Sequence, residues 1–104
     1  MSTPRLDKLL RLAQAEPNDA FVQYGLALEY MQLERWADAV ATLDRTLALK
    51  PDDVAALLQK GRALVKLGQP AAARAAWSAG IAAAERAGDL HAASELRGLL
   101  EALG

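Results

Sequence analysis

The sequence of 104 residues is long enough for one domain of ordinary size, and only 5% of its residues are aromatic although 53% are hydrophobic. Twelve basic and 13 acidic residues are interleaved to a formal net charge of −1, so no basic cluster favours nucleic acid as a partner. The absence of cysteine excludes a disulfide framework and a cysteine-based zinc site.

The start of the chain, from Met1 to Lys8, lacks the apolar core of a signal peptide. No apolar run approaches the ~18 residues that cross a bilayer, and no basic patch suits an anionic membrane surface. We therefore expect a cytoplasmic protein without a membrane partner.

Hydrophobic residues recur at helical spacing, and the scarcity of β-branched residues argues against a sheet. Pro17, Pro51 and Gly88 mark helix ends. The pattern predicts six helices: Pro4 to Ala15, Ala20 to Leu33, Trp36 to Leu49, Val54 to Leu67, Pro70 to Ala87 and Leu90 to Leu103. The expected N-caps are Thr3, Asn18 or Asp19, Asp52 or Asp53, and Asp89.

The second predicted helix is apolar on two sides. One face carries Val22, Leu26, Tyr30 and Leu33, and the other, called the apolar strip below, carries Phe21, Tyr24, Leu28 and Met31. A helix of this kind either lies between neighbouring helices or leaves one side exposed for a partner. The sequence leaves both interpretations of the strip open.

The later helices contain residues that indicate close packing. Gly61 inside the fourth helix costs about 1 kcal/mol relative to alanine, so we expect another helix to press against it. The fifth helix is rich in alanine, and Trp77 is its one large anchor. Trp36, at the start of the third helix, is expected to cover a helix end rather than to bind a ligand.

The number of residues from Pro17 to Pro51, called the repeat period below, also separates pairs of similar residues in two segments of the chain. At this offset small residues fall on small ones and large on large ones: Ala27 on Gly61, Tyr30 on Leu64, Ala39 on Ala73, and Leu43 on Trp77. We expect the small residues to mark close helix crossings and the large ones to fill the space between helices. Lys60 breaks the match, because its counterpart is Leu26.

With these residues the sequence resembles the tetratricopeptide repeat family, whose unit of about 34 residues carries W-x2-L-G-x2-Y, then a small residue, an aromatic residue and a proline. The first unit matches at Leu26, Ala27, Tyr30, Ala39, Leu43 and Pro51, and the second at Gly61, Leu64, Ala73 and Trp77. The resemblance covers roughly Pro4 to Glu85.

The chain also departs from the family pattern. Gln23 and Leu57 stand where the family pattern has its tryptophan. Glu85 replaces the closing proline of the second unit. A third copy at the same offset fails, because its leucine, glycine and tyrosine positions would be Ser94, Glu95 and Gly98.

The resemblance implies an all-α fold, a right-handed superhelical array of antiparallel helix pairs in a single domain. The expected division is a half-repeat helix at 4–17, full repeats at 20–53 and 54–87, and a capping helix at 89–103. Leu96, Leu100 and Leu103 of that last helix would cover the last repeat. Alternatively, the helix is partly mobile and lies in or near a binding groove, where it regulates access.

Residues for catalysis or for holding a cofactor are not evident. His91 is the one histidine and is expected to be solvated. A single histidine does not make a metal site. Ser2, Ser78 and Ser94 lack a nucleophile motif, and the glycines are too dispersed to hold a phosphate. We expect no enzyme activity, no cofactor and no metal.

The resemblance implies a concave face that binds a peptide or a partner helix. The corresponding residues are Phe21, Tyr24, Leu28, Met31, Gln32, Leu58, Arg62, Val65 and Lys66. An apolar strip beside Arg62 and Lys66 would suit a partner with some acidic character. The Lys and Asn residues with which some family members hold a C-terminal carboxylate are missing, because Tyr24 and Leu28 stand at those positions of the first repeat.

Three functions remain open. The leading hypothesis is a protein-interaction module, a scaffold that presents the concave face to a protein or peptide. The second is a self-associating structural protein, such as a homodimer, that pairs through the apolar strip or the last helix. The third, an enzyme or small-molecule binder, would require a deep polar pocket.

Overall fold

A computed structural model describes residues 2–104, which form six helices and no strand. They are α1 (Pro4–Ala15), α2 (Ala20–Gln32), α3 (Trp36–Leu49), α4 (Val54–Lys66), α5 (Pro70–Ala87) and α6 (Leu90–Leu103). The all-α prediction is therefore confirmed, and the bounds agree with the expected ones to within one residue.

Side-chain oxygens cap α1, α2, α4 and α6, whereas α3 and α5 begin without a side-chain cap. Thr3 Oγ1 accepts a hydrogen bond from the Leu6 N–H at 3.0 Å at the start of α1. Asp19 caps α2 and Asp53 caps α4, which settles both choices that the sequence left open. Asp89 caps α6 as expected. Each cap satisfies an N–H that has no partner inside the helix and fixes where that helix begins.

Short connections place consecutive helices side by side, and each helix packs against the next one along the chain. The core extends along this array rather than forming one centre. Leu6, Leu26 and Ala39 join α1, α2 and α3 in one cluster. Further along, a cluster joins α2, α3 and α4, and another joins α4, α5 and α6; their buried members are Ala27, Leu43, Ala56, Leu58, Trp77 and Leu96.

Gly61 lies under the indole of Trp77, as its position in a helix predicted. A Cβ built on Gly61 would overlap the indole ring. Trp77 is only 3% exposed, and its Nε1–H donates to the Leu58 carbonyl at 3.0 Å. The glycine is therefore required by the volume of the tryptophan, which explains a residue that is otherwise unfavourable within a helix.

The last helix follows a longer offset than the first repeat. The capping residues Asp19 and Asp53 are separated by the repeat period, whereas the spacing from Asp53 to Asp89 is two positions longer. α5 has 18 residues against 14 in α3, so its last turn carries the extra length. A comparison at the repeat period therefore puts α6 out of register.

When the offset is lengthened by those two positions, the buried pattern recurs in α6. Leu96 takes the position of Leu26 and Lys60 and is fully buried, as Leu26 is, and Ala93 takes that of the buried Leu57. Arg97 falls on the position of Gly61 but is exposed and pairs with Glu85, because no further helix presses on it within residues 2–104. At this longer offset, α6 therefore shares buried positions with α2 and α4.

The leucines of α6 face the preceding helices. Leu96 packs in the cluster with Leu58 and Trp77, and Leu100 and Leu103 are partly buried against it. The role of α6 as a capping helix and the exact division into a half-repeat, two repeats and that cap remain predictions. In the described part of the chain, none of the helices has the length and apolarity to cross a membrane.

Candidate functional site

α2, α4 and α6 lie on one side of the array, which we call the inner face. The Tyr24 side chain on α2 lies close enough to Gln59 and Arg62 on α4 for both to influence the pKa of its hydroxyl. Arg62 on α4 lies 3.9 Å from Glu95 on α6, measured between Nη2 and Oε2. These contacts show that the three helices are neighbours although α3 and α5 separate them in the sequence.

The residues predicted for the concave face belong to α2 and α4 and differ in exposure. Phe21 is 84% exposed, and Leu28 and Val65 are 37% and 38% exposed. The polar members Gln32, Arg62 and Lys66 are also exposed, and Tyr24 and Met31 are partly buried. The apolar strip is thus open at Phe21 and Leu28 and partly covered at its other two positions.

Leu58 is the exception among the predicted residues. Its side chain is 9% exposed and packs with Trp77 and Leu96 in the core. α6 lies next to α4 and covers it, which the pattern of α4 alone could not reveal. Leu58 therefore belongs to the core and offers little surface to a partner.

A cavity of about 330 Å³, called the tryptophan pocket below, opens between α2 and α4. Its lining residues are Met31, Trp36, Arg62, Val65, Lys66 and Trp77. Trp36 packs partly on the core cluster of α1, α2 and α3 and also contributes a wall of the pocket. Both tryptophans of the chain thus line one cavity, and the sequence pattern assigned neither to the inner face.

Two cationic side chains of α4, Arg62 and Lys66, line the tryptophan pocket. Lys66 Nζ lies 5.8 Å from the centroid of the Trp36 ring, within the range of a cation–π contact. Arg62 forms the long ion pair with Glu95, in which both side chains are about half exposed. Lys66 has no carboxylate within 4.0 Å in residues 2–104, so its charge is balanced only by solvent and the ring.

A second cavity, of about 440 Å³, lies at the other end of α2. Phe21 and Tyr24 contribute its apolar part, and Asp19, Lys50 and Asp53 contribute charges of both signs. Burial raises the pKa of the Tyr24 hydroxyl, and the Asp53 charge adds to this effect, while Gln59 and Arg62 oppose it. Tyr24 is therefore a neutral hydrogen-bonding group at neutral pH.

The described residues contain no group of three or more His, Cys, Asp or Glu side chains that could hold a metal ion. His91 is exposed on α6. What the inner face offers is apolar surface beside cations, an arrangement that suits recognition of another polypeptide more than chemistry on a substrate.

Two comparisons concern the sequence itself. The family model described as "Tetratricopeptide repeat" matches residues 26–98, which is well over half of the chain. This match extends into α6, where a comparison at the repeat period had failed. No curated protein matches the chain.

Several solved structures share the fold. The solution structure of protein BPP2914 from Bordetella parapertussis has a TM-score of 0.84 at 27% identity, covering 99% of this chain and 89% of that one. A tetratricopeptide repeat domain protein from Salinibacter ruber has a TM-score of 0.77 at 25% identity, covering 84% and 88%. PcrH, in complex with the chaperone binding region of PopD, has a TM-score of 0.88 at 16% identity, covering 94% and 74%.

Proposed function

Because the chain belongs to the tetratricopeptide repeat family, we propose that it is a non-catalytic protein-interaction module that binds a peptide or a helix on its inner face. The observation that carries the proposal is the exposed apolar surface of Phe21, Leu28 and Val65 beside Arg62 and Lys66. Exposed apolar side chains on a rigid helical array are typical of interaction surfaces, because their burial by a partner is favourable.

The proposed contact residues are those expected from the sequence except Leu58. Leu58 contributes through its position in the core beneath the face rather than by direct contact. PcrH, whose fold is similar, is seen in complex with a region of another protein, so this helix arrangement is compatible with holding a polypeptide segment. We propose a protein or peptide partner, a cytoplasmic location, and no role for nucleic acid, a cofactor or a metal.

The test is selection of binders from a displayed library of random short peptides on the immobilised chain. Tyr24→Ala and Leu28→Ala should each weaken selected peptides by roughly tenfold, because central apolar contacts carry most of the affinity. Leu12→Ala is the matched control, since Leu12 is a similarly exposed leucine (46% against 37%) on α1.

Circular dichroism of each variant distinguishes the outcomes. Unchanged helicity with weakened binding supports the inner face as the site. Equal binding by all variants, or no selected peptide at all, would overturn the proposal. Loss of helicity in both inner-face variants would assign the strip to the core instead.

Self-association stays a second candidate because Phe21 is the most exposed large apolar side chain of the described residues. The leucine face of α6 is largely packed against α5 and α4, so the apolar strip would be the pairing surface. Sedimentation across a concentration series tests this idea: a monomer at high protein concentration contradicts it, and a dimer that Phe21→Ser dissociates supports it.

A further inference from the structure

We propose that the tryptophan pocket receives one large apolar side chain of the bound segment, and that Arg62 and Lys66 at its rim hold an acidic side chain next to that residue. The inference rests on the proposed function of the inner face and specifies the partner: a segment in which a large apolar residue is flanked by Asp or Glu. A free C-terminus is not required.

The size of the pocket suits a single side chain. Its volume of about 330 Å³ lies at the lower end of the range of about 300–1,000 Å³ that small-molecule sites occupy. Met31, Trp36, Val65 and Trp77 supply apolar walls. Since an apolar side chain loses contact with water there, its burial would supply a large share of the binding energy.

The pocket is held in shape before any ligand binds. The Trp77 indole is fixed by its hydrogen bond to the Leu58 carbonyl and by its packing against Gly61. Trp36 is held partly by the core cluster that includes Leu26 and Tyr30. A preformed wall reduces the entropy that binding must overcome, so this part of the inner face is suited to an anchoring contact.

The rim selects a negative charge. Arg62 and Lys66 both line the pocket, and Glu95 on α6 already faces Arg62 across 3.9 Å. Glu95 would therefore compete with a carboxylate of the partner for Arg62. A basic residue beside the anchor would instead face two cations and be disfavoured.

The peptides selected on the wild-type chain provide the first test. We expect them to be enriched in a large apolar residue with Asp or Glu within four positions, and depleted of Lys and Arg there. Binding should also shift the intrinsic fluorescence, because both tryptophans of the chain line the pocket. Higher salt should weaken the interaction, since exposed charges are screened.

Variants then test the pocket and its rim separately. Val65→Glu should reduce affinity by roughly tenfold or more, because it places a carboxylate at the pocket wall next to both cations. Leu49→Glu is the matched control: Leu49 is also 38% exposed but lies on α3, away from the pocket. Arg62→Gln should weaken acidic peptides by roughly threefold, and Glu95→Gln should strengthen them by about twofold, as expected for exposed ion pairs.

The outcomes separate this inference from the proposed function. Peptides that bind the inner face but show no acidic preference and tolerate Val65→Glu would overturn the pocket assignment and leave the proposed function standing. An equal response to Arg62→Gln and Glu95→Gln would overturn the rim assignment. If no peptide binds, or Tyr24→Ala and Leu28→Ala have no effect, the proposed function itself fails and the inference fails with it.

Discussion

The hairpins α2–α3 and α4–α5 share one backbone plan but divide side-chain volume differently. In the first, Ala27 and Leu43 meet in one buried cluster. In the second, Gly61 and Trp77 occupy the same two positions, and the indole takes the space of the missing methyl group. Close packing at a helix crossing fixes the combined volume of the two side chains that meet there. Each crossing therefore requires a matched pair of residues rather than one particular residue.

The neighbouring helices explain a second difference between the hairpins, which have Leu26 and Lys60 at equivalent positions. Leu26 is 2% exposed in a cluster with Leu6 of α1. Lys60 at the equivalent position lies beside a cavity of about 470 Å³, because the adjacent surface of α5 is built largely of alanine. Its Nζ reaches Asp44 Oδ1 at 2.8 Å, and the side chain remains 29% exposed. A lysine fits the repeat only where its charge can stay in contact with solvent.

Exchanging these two residues gives the largest predicted contrast. Leu26→Lys should lower the free energy of unfolding by about 4 kcal/mol, because it buries a charge without a partner. Lys60→Leu should change it by less than about 1 kcal/mol, since an exposed ion pair contributes little. Urea denaturation followed by circular dichroism measures both, and similar losses in the two variants would contradict the comparison.

Gly61 and Ala27, the small residues at equivalent positions of the two hairpins, should also respond unequally to substitution. Gly61→Ala should destabilise the chain by about 3 kcal/mol, because the new methyl group displaces a buried indole. Ala27→Gly should cost only about 1 kcal/mol, mainly from lower helix propensity. A Gly61→Ala protein as stable as the wild type would contradict this argument, and a changed near-ultraviolet spectrum would then show that Trp77 had shifted without loss.

A double-mutant cycle tests whether the volumes compensate. Combining Gly61→Ala with Trp77→Leu converts the second hairpin to the residues of the first. We expect a coupling free energy of about 2 kcal/mol, so that the double variant is more stable than the sum of single losses predicts. Additive losses would mean that the glycine and the tryptophan act independently.

The turns of the two hairpins give the smallest predicted effect. Glu34 and Gly68 stand at equivalent positions of the two repeats, and both adopt the left-handed conformation, with φ values of 57° and 73°. A side chain is strained there, so Glu34→Gly should stabilise the fold by about 0.5 kcal/mol, whereas Gly68→Ala should destabilise it by about 1 kcal/mol. Thermal unfolding resolves the sign, and two shifts in the same direction would contradict the argument.

The sequence alone was informative about local structure. The prolines, glycines and capping residues placed all six helices, because helix ends depend on residues within one or two turns. The close approach of another helix to Gly61 also followed from the sequence, since a helical glycine is costly without a close contact, but the identity of Trp77 as the neighbour did not. The spacing of Asp53 and Asp89 differs from the repeat period by two positions, so the offset of α6 is also visible in the sequence.

The inner face needed the tertiary structure. Periodicity identified Phe21 and Leu28 as a second apolar face, but whether it was covered depended on distant helices. The resemblance placed both Leu58 and Val65 on the concave face, yet α6 helps to bury the first, and the second remains open to solvent. Trp36 and Trp77, which lie on different hairpins, meet at one cavity only because α3 and α5 pack on both sides of α4. Short-range interactions thus determined the helices, while contacts between helices remote in sequence determined which side chains a partner can reach.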